Sequence, residues 1–311
     1  MKIYNHLYHD KQKFGIFLNG TRLNRDKQML VRIHSSVHSA KEMSSLAKEL
    51  KEFLPNSSMI GCSTSGVICD GRIVENTCLV SITTFDSCCI ETFYTEQTKN
   101  EKELCAELSK KLVKKRSGFM LLFLPASYTK GIKLVEQINK RIPGVKILGG
   151  AAGFKEKKRN AYVLEGERSS NTAVAAAFIS SDQLSVYENF ICGADISGQS
   201  CKVTKINKNH ILQIDKRNGS EWYSELLDKD ELKKDPELSM LFPLIMETDI
   251  KIPFYVDFEH QKKDILRLSS ELPKGSVIYP GYFNPQKTLD EMREVYHDIS
   301  QSPSELLFAY D

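Results

Sequence analysis

Apolar positions along residues 28–180 follow two periods, and they do so twice in the same order. Gln28-Met29-Leu30-Val31-Arg32-Ile33-His34 reads as a strand. From 40 to 53 the apolar residues Met43, Leu46, Ala47, Leu50 and Phe53 keep the spacing of an amphipathic helix, and Pro55 ends it. A small-residue loop, Met59-Ile60-Gly61-Cys62-Ser63-Thr64-Ser65-Gly66, comes next, then a turn at Asp70-Gly71 and the strand 78–83. About 90 residues further on the order returns. Residues 119–124 form the strand, and 128–141 the helix, with Ile132, Leu134, Val135 and Ile138 apolar. Pro143-Gly144 breaks that helix, Gly149-Gly150-Ala151-Ala152-Gly153 repeats the small-residue loop, and 172–179 repeats the second strand. Between the copies, Leu104, Leu108 and Leu112 mark one stripe of a helix over 101–115. The pattern predicts an α/β fold whose N-terminal lobe, residues 1–190, is a tandem of β-α-β-β modules, about 28–85 and 118–180, with mixed sheets.

From about residue 185 the pattern changes to short strands separated by charged turns, which predicts a smaller α/β C-terminal lobe over 191–311. Residues 203–206 and 211–215 read as paired strands with a further turn at Asn218-Gly219. A helix over 222–232 is halted at Asp235-Pro236, and 238–256 reads as irregular chain with short extended pieces. Strands follow at 264–268 and 276–280, then a helix over 285–299 and an apolar strand over 305–311.

Composition narrows the function classes. The 43 Lys and Arg against 40 Asp and Glu leave a net charge of +3, too little for a nucleic-acid footprint. The basic runs at 110–116 and 155–159 are short and have acidic neighbours, as solvated surface does. No apolar run reaches the roughly 18–20 residues of a membrane span, and residues 1–6 hold no secretory h-region. Eight scattered cysteines without a Cys-x-x-Cys pair fit reduced thiols, so the expectation is a cytoplasmic protein.

Candidate chemistry concentrates in the two small-residue segments. Small side chains let a ligand approach backbone N–H groups, so Cys62, Ser63, Thr64, Ser65 and Gly66 with Gly149, Gly150 and Ala151 are the candidate polar contacts. Neither segment is a phosphate-binding motif, and the same glycines would also serve close packing of two sheets. Arg267 alternates with Leu266 and Leu268, and its guanidinium suits a ligand carboxylate or a surface acid. Cys62 is a candidate nucleophile, but the second copy has Gly150 in its place, which argues against a duplicated catalytic site. His34 and His38 lack the further ligands a zinc site needs. No cofactor is expected.

The glycine segments, the strand Val203-Thr204-Lys205, Leu212-Gln213-Ile214-Asp215 with Trp222-Tyr223, and Ile265-Leu266-Arg267 ahead of Leu272-Pro273-Lys274-Gly275-Ser276 together resemble the FIST sensory domain, its N-terminal and C-terminal parts. The resemblance implies an intracellular small-ligand sensor of bacterial signal transduction, with an amino acid or similar polar metabolite as ligand; such ligands usually sit in inter-lobe clefts, so a groove between the lobes is the expected site. It also implies an output module such as a diguanylate cyclase, a histidine kinase or a chemoreceptor. In the family a Cys-x-x-Arg-like segment closes the C-terminal part, whereas this chain ends at Asp311, so the expectation is a sensory region cut from a longer protein. The family's Asp-Gly turn reads Asp215-Lys216-Arg217-Asn218-Gly219 here, which leaves no role to carry onto Asp215. A second copy of the chain is a candidate partner. Two alternatives stay open: an interaction scaffold without a small ligand, and a Cys62-dependent hydrolase or transferase.

Overall fold

The computed structural model describes residues 1–24, 27–96, 101–112, 118–126, 128, 131–153, 161–227, 229–257 and 265–301. The chain forms two compact units, one built on Met1–Glu188 and one on Asn189–Ser304.

The first unit runs β1 (Lys2–Tyr8), α1 (Lys11–Gly20), β2 (Gln28–Ser35), α2 (Ala40–Phe53), β3 (Ser57–Ser63), β4 (Val67–Cys69), β5 (Arg72–Val74) and β6 (Cys78–Phe85). It then repeats itself as β7 (Cys89–Glu96), α3 (Glu101–Leu112), β8 (Gly118–Leu124), α4 (Gly131–Arg141), β9 (Lys146–Ala151), β10 (Val163–Glu165), β11 (Arg168–Ser170) and β12 (Ala173–Ser180). The pairings repeat with the order. β1 lies antiparallel to β6, β6 antiparallel to β2, and β2 parallel to β3. In the second copy β7, β12, β8 and β9 are joined in the same senses. The repeat is therefore longer than the hydrophobic periods indicated, because a strand and a helix precede each β-α-β-β module. The copies differ in their hairpins: β4–β5 pair only with each other among the described residues, whereas β10 of the second copy pairs antiparallel with β3 of the first.

Strand periodicity sorts the side chains into layers. On β2, Met29, Val31 and Ile33 pack with Phe14 of α1 and Met43, Leu46 and Leu50 of α2, while Leu30 points to the opposite face. On β8, Met120 and Leu122 meet Leu104 of α3 and Leu134 and Ile138 of α4, while Phe119, Leu121 and Phe123 point the other way. Those opposite faces form one further core, in which Leu30, Ile60, Cys62 and Phe85 of the first sheet meet Phe119, Leu121 and Phe123 of the second. The unit is thus a four-layer sandwich, helices outside and two mixed sheets face to face. Ala173, Ala175 and Ala177 on β12 keep the sheets close, since none projects beyond a methyl group.

The second unit is an antiparallel sheet of β13 (Ala194–Ile196), β14 (Cys201–Asn207), β15 (His210–Ile214), β16 (Arg217–Asn218), β17 (Leu244–Glu247), β18 (Lys251–Phe254), β19 (Leu266–Arg267) and β20 (Val277–Phe283). The helices α5 (Gly219–Leu226), α6 (Lys229–Lys234) and α7 (Pro285–Gln301) accompany it, with a 3-10 turn at Pro236–Leu241. Trp222 and Tyr223 of α5 belong to its core, with Val203, Ile211 and Ile278 of the sheet. The tight turn expected at Asn218-Gly219 lies instead at Asp215 and Lys216, whose φ angles of 48° and 66° join β15 to β16. Asn218 caps α5, its side chain accepting from Ser220 N at 2.9 Å and Glu221 N at 3.1 Å. The strand expected over 305–311 lies outside the described residues.

Candidate functional site

The small-residue segments are strand ends before they are loops. Gly61, Cys62 and Ser63 belong to β3, and Gly149, Gly150 and Ala151 to β9. Parallel pairing places Gly61 beside Ile33 and Gly149 beside Leu122. A Cβ on Gly61 would lie 2.0 Å from the Ile33 carbonyl oxygen, and one on Gly149 2.1 Å from that of Leu122. Both glycines are required by backbone approach. The structure also brings the two segments together, with Gly153 N–H donating to the Ser63 carbonyl at 3.1 Å. Ser63, 1% exposed, accepts on its hydroxyl from Tyr162 N at 3.0 Å. The Thr64 hydroxyl donates to the Gly66 carbonyl at 2.8 Å. Ser65, Gly150 and Ala151 are exposed, and Gly66 is half-buried.

Cys62 faces the layer between the sheets, its Sγ 3.5 Å from Nδ1 of His34. Burial pushes the thiol up to about 12, so it is protonated at neutral pH. Burial, aided by the charge of Arg32, pushes His34 down to about 3, so the ring is neutral. A neutral thiol beside a neutral imidazole is a packed polar pair, not an activated nucleophile. In the repeat, His34 corresponds to Phe123, and the two rings meet edge to face at 5.4 Å.

Arg267 lies in the second unit, on β19 opposite His210. Its Nε is 3.3 Å from Asp257 Oδ2, and Asp257 N–H donates to the Arg267 carbonyl at 2.9 Å. The guanidinium already has a carboxylate partner.

An open groove of about 550 Å³ lies on α2, lined by Tyr8, His38, Lys41, Glu42, Ser45, Leu46 and Glu49. The helix starts sharply because Ser39 and Glu42 form a capping box, Glu42 N donating to Ser39 Oγ and Ser39 N to Glu42 Oε2. Its apolar stripe, Met43, Leu46, Ala47 and Leu50, is buried against the sheet, which leaves Lys41, Ser45 and Glu49 at four-residue spacing on the flank. The Tyr8 hydroxyl, at the end of β1, donates to the Glu49 carboxylate. Burial and that carboxylate push the Tyr8 phenol up, so it stays a donor. His38 sits in the β2–α2 connection with Nδ1 2.8 Å from Ser35 Oγ, and burial lowers it from the ordinary histidine value. Sequence reasoning weighed His38 as half of a metal pair, and it assigned Tyr8 no element. The polar 41-45-49 row beside an apolar helix stripe was the readable signal.

A second cavity, about 350 Å³, lies in the second unit among Tyr223, Leu227, Phe242, Leu244 and Pro280. Its walls are apolar, and the Tyr223 hydroxyl already donates to the Phe242 carbonyl at 2.9 Å. Among the described residues no three His, Cys, Asp or Glu side chains converge as a metal site, and no helix is long and apolar enough to cross a membrane.

Comparison with known protein families matches residues 29–217 to the FIST N domain, from the start of β2 through β16. No curated protein matches the chain. The match covers more than half of the chain, including β2, α2 and both glycine segments, so the chain belongs to the FIST N domain family, whose members serve as sensory domains in signal-transduction proteins.

Proposed function

We propose that the chain senses a small polar metabolite bearing a carboxylate, an amino acid among them, and that the α2 groove receives it. The observation that carries this reading is the composition and size of the groove. A volume of about 550 Å³ falls within the range of small-molecule sites, and the lining carries both signs, with Lys41 beside Glu42 at one end and Glu49 at the other. Lys41 and His38 offer donors at the N-terminal end of α2, and Glu49, held by Tyr8, offers an acceptor two turns on. Eight residues of helix separate Lys41 from Glu49 by about 12 Å, which favours an extended ligand with a carboxylate at one end and a donor at the other. The exposed strand-end groups Ser65, Gly150 and Ala151, among the set Cys62–Gly66 and Gly149–Ala151, form a second contact surface in this proposal, and Arg267 a third.

The signal is a population shift. A ligand that bridges Tyr8 and α2 favours arrangements in which β1 is clamped to that helix, by no more than its affinity difference between clamped and loose states. The domain acts in the cytoplasm of a bacterium, without catalysis of its own, and passes the shift to an output module or a second copy. A thermal-shift screen of amino acids and short carboxylates tests the reading. A binder at a hundred times its dissociation constant adds about 2.7 kcal/mol, a rise of several degrees in the unfolding midpoint. In Lys41→Gln, a tenfold weaker site would leave about half of that rise at the same ligand concentration. A panel in which nothing raises the midpoint removes the reading, and a rise abolished only by Arg267→Ala moves the carboxylate contact to β19.

A further inference from the structure

Ser35, the last residue of β2, is fully buried, and its hydroxyl oxygen accepts from two backbone donors, Val37 N at 3.3 Å and His38 N at 3.1 Å. A serine hydroxyl has two lone pairs and one proton. With both lone pairs occupied, the Ser35 proton points to Nδ1 of His38, 2.8 Å away, in preference to the Cys78 thiol and the Tyr162 phenol, which also interact with the hydroxyl. The remaining ring nitrogen, Nε2, then carries the proton of the neutral imidazole, on a residue that lines the groove. We propose that Ser35 is a positioning residue that locks His38 as an Nε2–H donor toward the α2 groove, so that the groove selects a ligand group accepting a hydrogen bond, such as a carboxylate oxygen.

This rests on the groove being the ligand site, but the lock itself does not. The surroundings keep it steady near neutral pH. Lys41, Glu42 and Glu49 on α2 and Tyr8 on β1 line the groove with His38, and burial keeps the Tyr8 phenol protonated. Next to Ser35, burial pushes the Cys78 thiol of β6 up to about 12 and raises the Tyr162 phenol, so neither changes charge below pH 8. Protonating His38 would turn Nδ1 into a donor facing an oxygen with no free lone pair. The neutral ring is therefore favoured, in agreement with its lowered titration.

The test is long-range nitrogen–proton NMR on the full chain labelled at histidine, with His38→Gln to identify the signals. At pH 7.5 without ligand, His38 should show an unprotonated Nδ1 and a protonated Nε2. Ser35→Ala should blur that single form into a tautomer mixture and raise the titration midpoint of His38, and Ser35→Thr should restore both. A protonated Nδ1 in the unaltered chain, or a spectrum unmoved by Ser35→Ala, overturns the lock. Acetate serves as the minimal carboxylate. It should move the Nε2 signal and bind roughly fivefold more weakly to Ser35→Ala, the scale of one neutral hydrogen bond. A ligand found in the thermal screen that leaves Nε2 unmoved overturns the selectivity while the sensor reading stands. A locked ring in a chain that binds nothing overturns the sensor reading instead.

Discussion

His34 offers a quantitative test of the two-sheet core. Its ring lies in the layer between the sheets, against Phe123 and Cys62, and burial lowers it from 6.5 to about 3. In the unfolded chain it titrates near 6.5. Below that pH the unfolded state binds a proton that the native state does not, so stability is complete above pH 6.5 and declines as the pH falls toward 3. The slope is about 1.4 kcal/mol per pH unit, which makes about 2 kcal/mol between pH 6.5 and 5 and about 5 kcal/mol over the whole window as an upper bound. His34→Phe places in the first copy the residue the second copy already has at Phe123, and removes the titration. His6 and His38, also lowered by burial, contribute slopes of the same sign to both proteins and cancel in the comparison. The assay is urea unfolding followed by circular dichroism at pH 7.5 and pH 5. The variant should gain about 2 kcal/mol on the unaltered chain between those values, whatever their difference at pH 7.5. Parallel pH profiles would refute the reasoning, because they would mean that water reaches His34 and that the sheets do not enclose it.

Gly61→Ala should cost more than about 3 kcal/mol, since its Cβ would overlap the Ile33 carbonyl, whereas Gly150→Ala, with nothing within 4 Å, should stay within about 1 kcal/mol in the same urea titration. Ser39→Ala removes one half of the α2 capping box and should cost about 1 kcal/mol by the same measurement. Cys62 should react with iodoacetamide at pH 7.5 far more slowly than exposed Cys89, as read by peptide mass spectrometry, and a faster Cys62 would revive the nucleophile reading.

What could be read from the sequence was what repeats at short range. α2 follows a period of 3.6 and begins and ends as expected, at Ala40 and Phe53, while β8 and β12 are unbroken apolar runs of strand length. The first strand of each repeat and the helix α1 escaped that test, whereas α3 showed its stripe of Leu104, Leu108 and Leu112. α1 buries only Phe14 and Leu18 of its ten residues, and β7 fully buries only Phe93 of its eight. Gly61 and Gly149 were read as loop because clustered glycine usually marks a turn. Here the glycines admit a neighbouring carbonyl between parallel strands, a cause no local pattern reveals. The groove was hidden for a similar reason. Tyr8 and Glu49 are 41 residues apart, and only the antiparallel edge strand beside α2 brings them into contact. Its polar row was visible, but its opposite wall was not.

The claim that the α2 groove is where this sensory domain takes its ligand is tested most directly by calorimetric titration of a screened carboxylate metabolite into the unaltered chain and into Lys41→Gln. The account predicts a single binding isotherm whose affinity falls about tenfold or more in the variant, as loss of a charge-assisted contact gives. Equal affinity in the two proteins would contradict it.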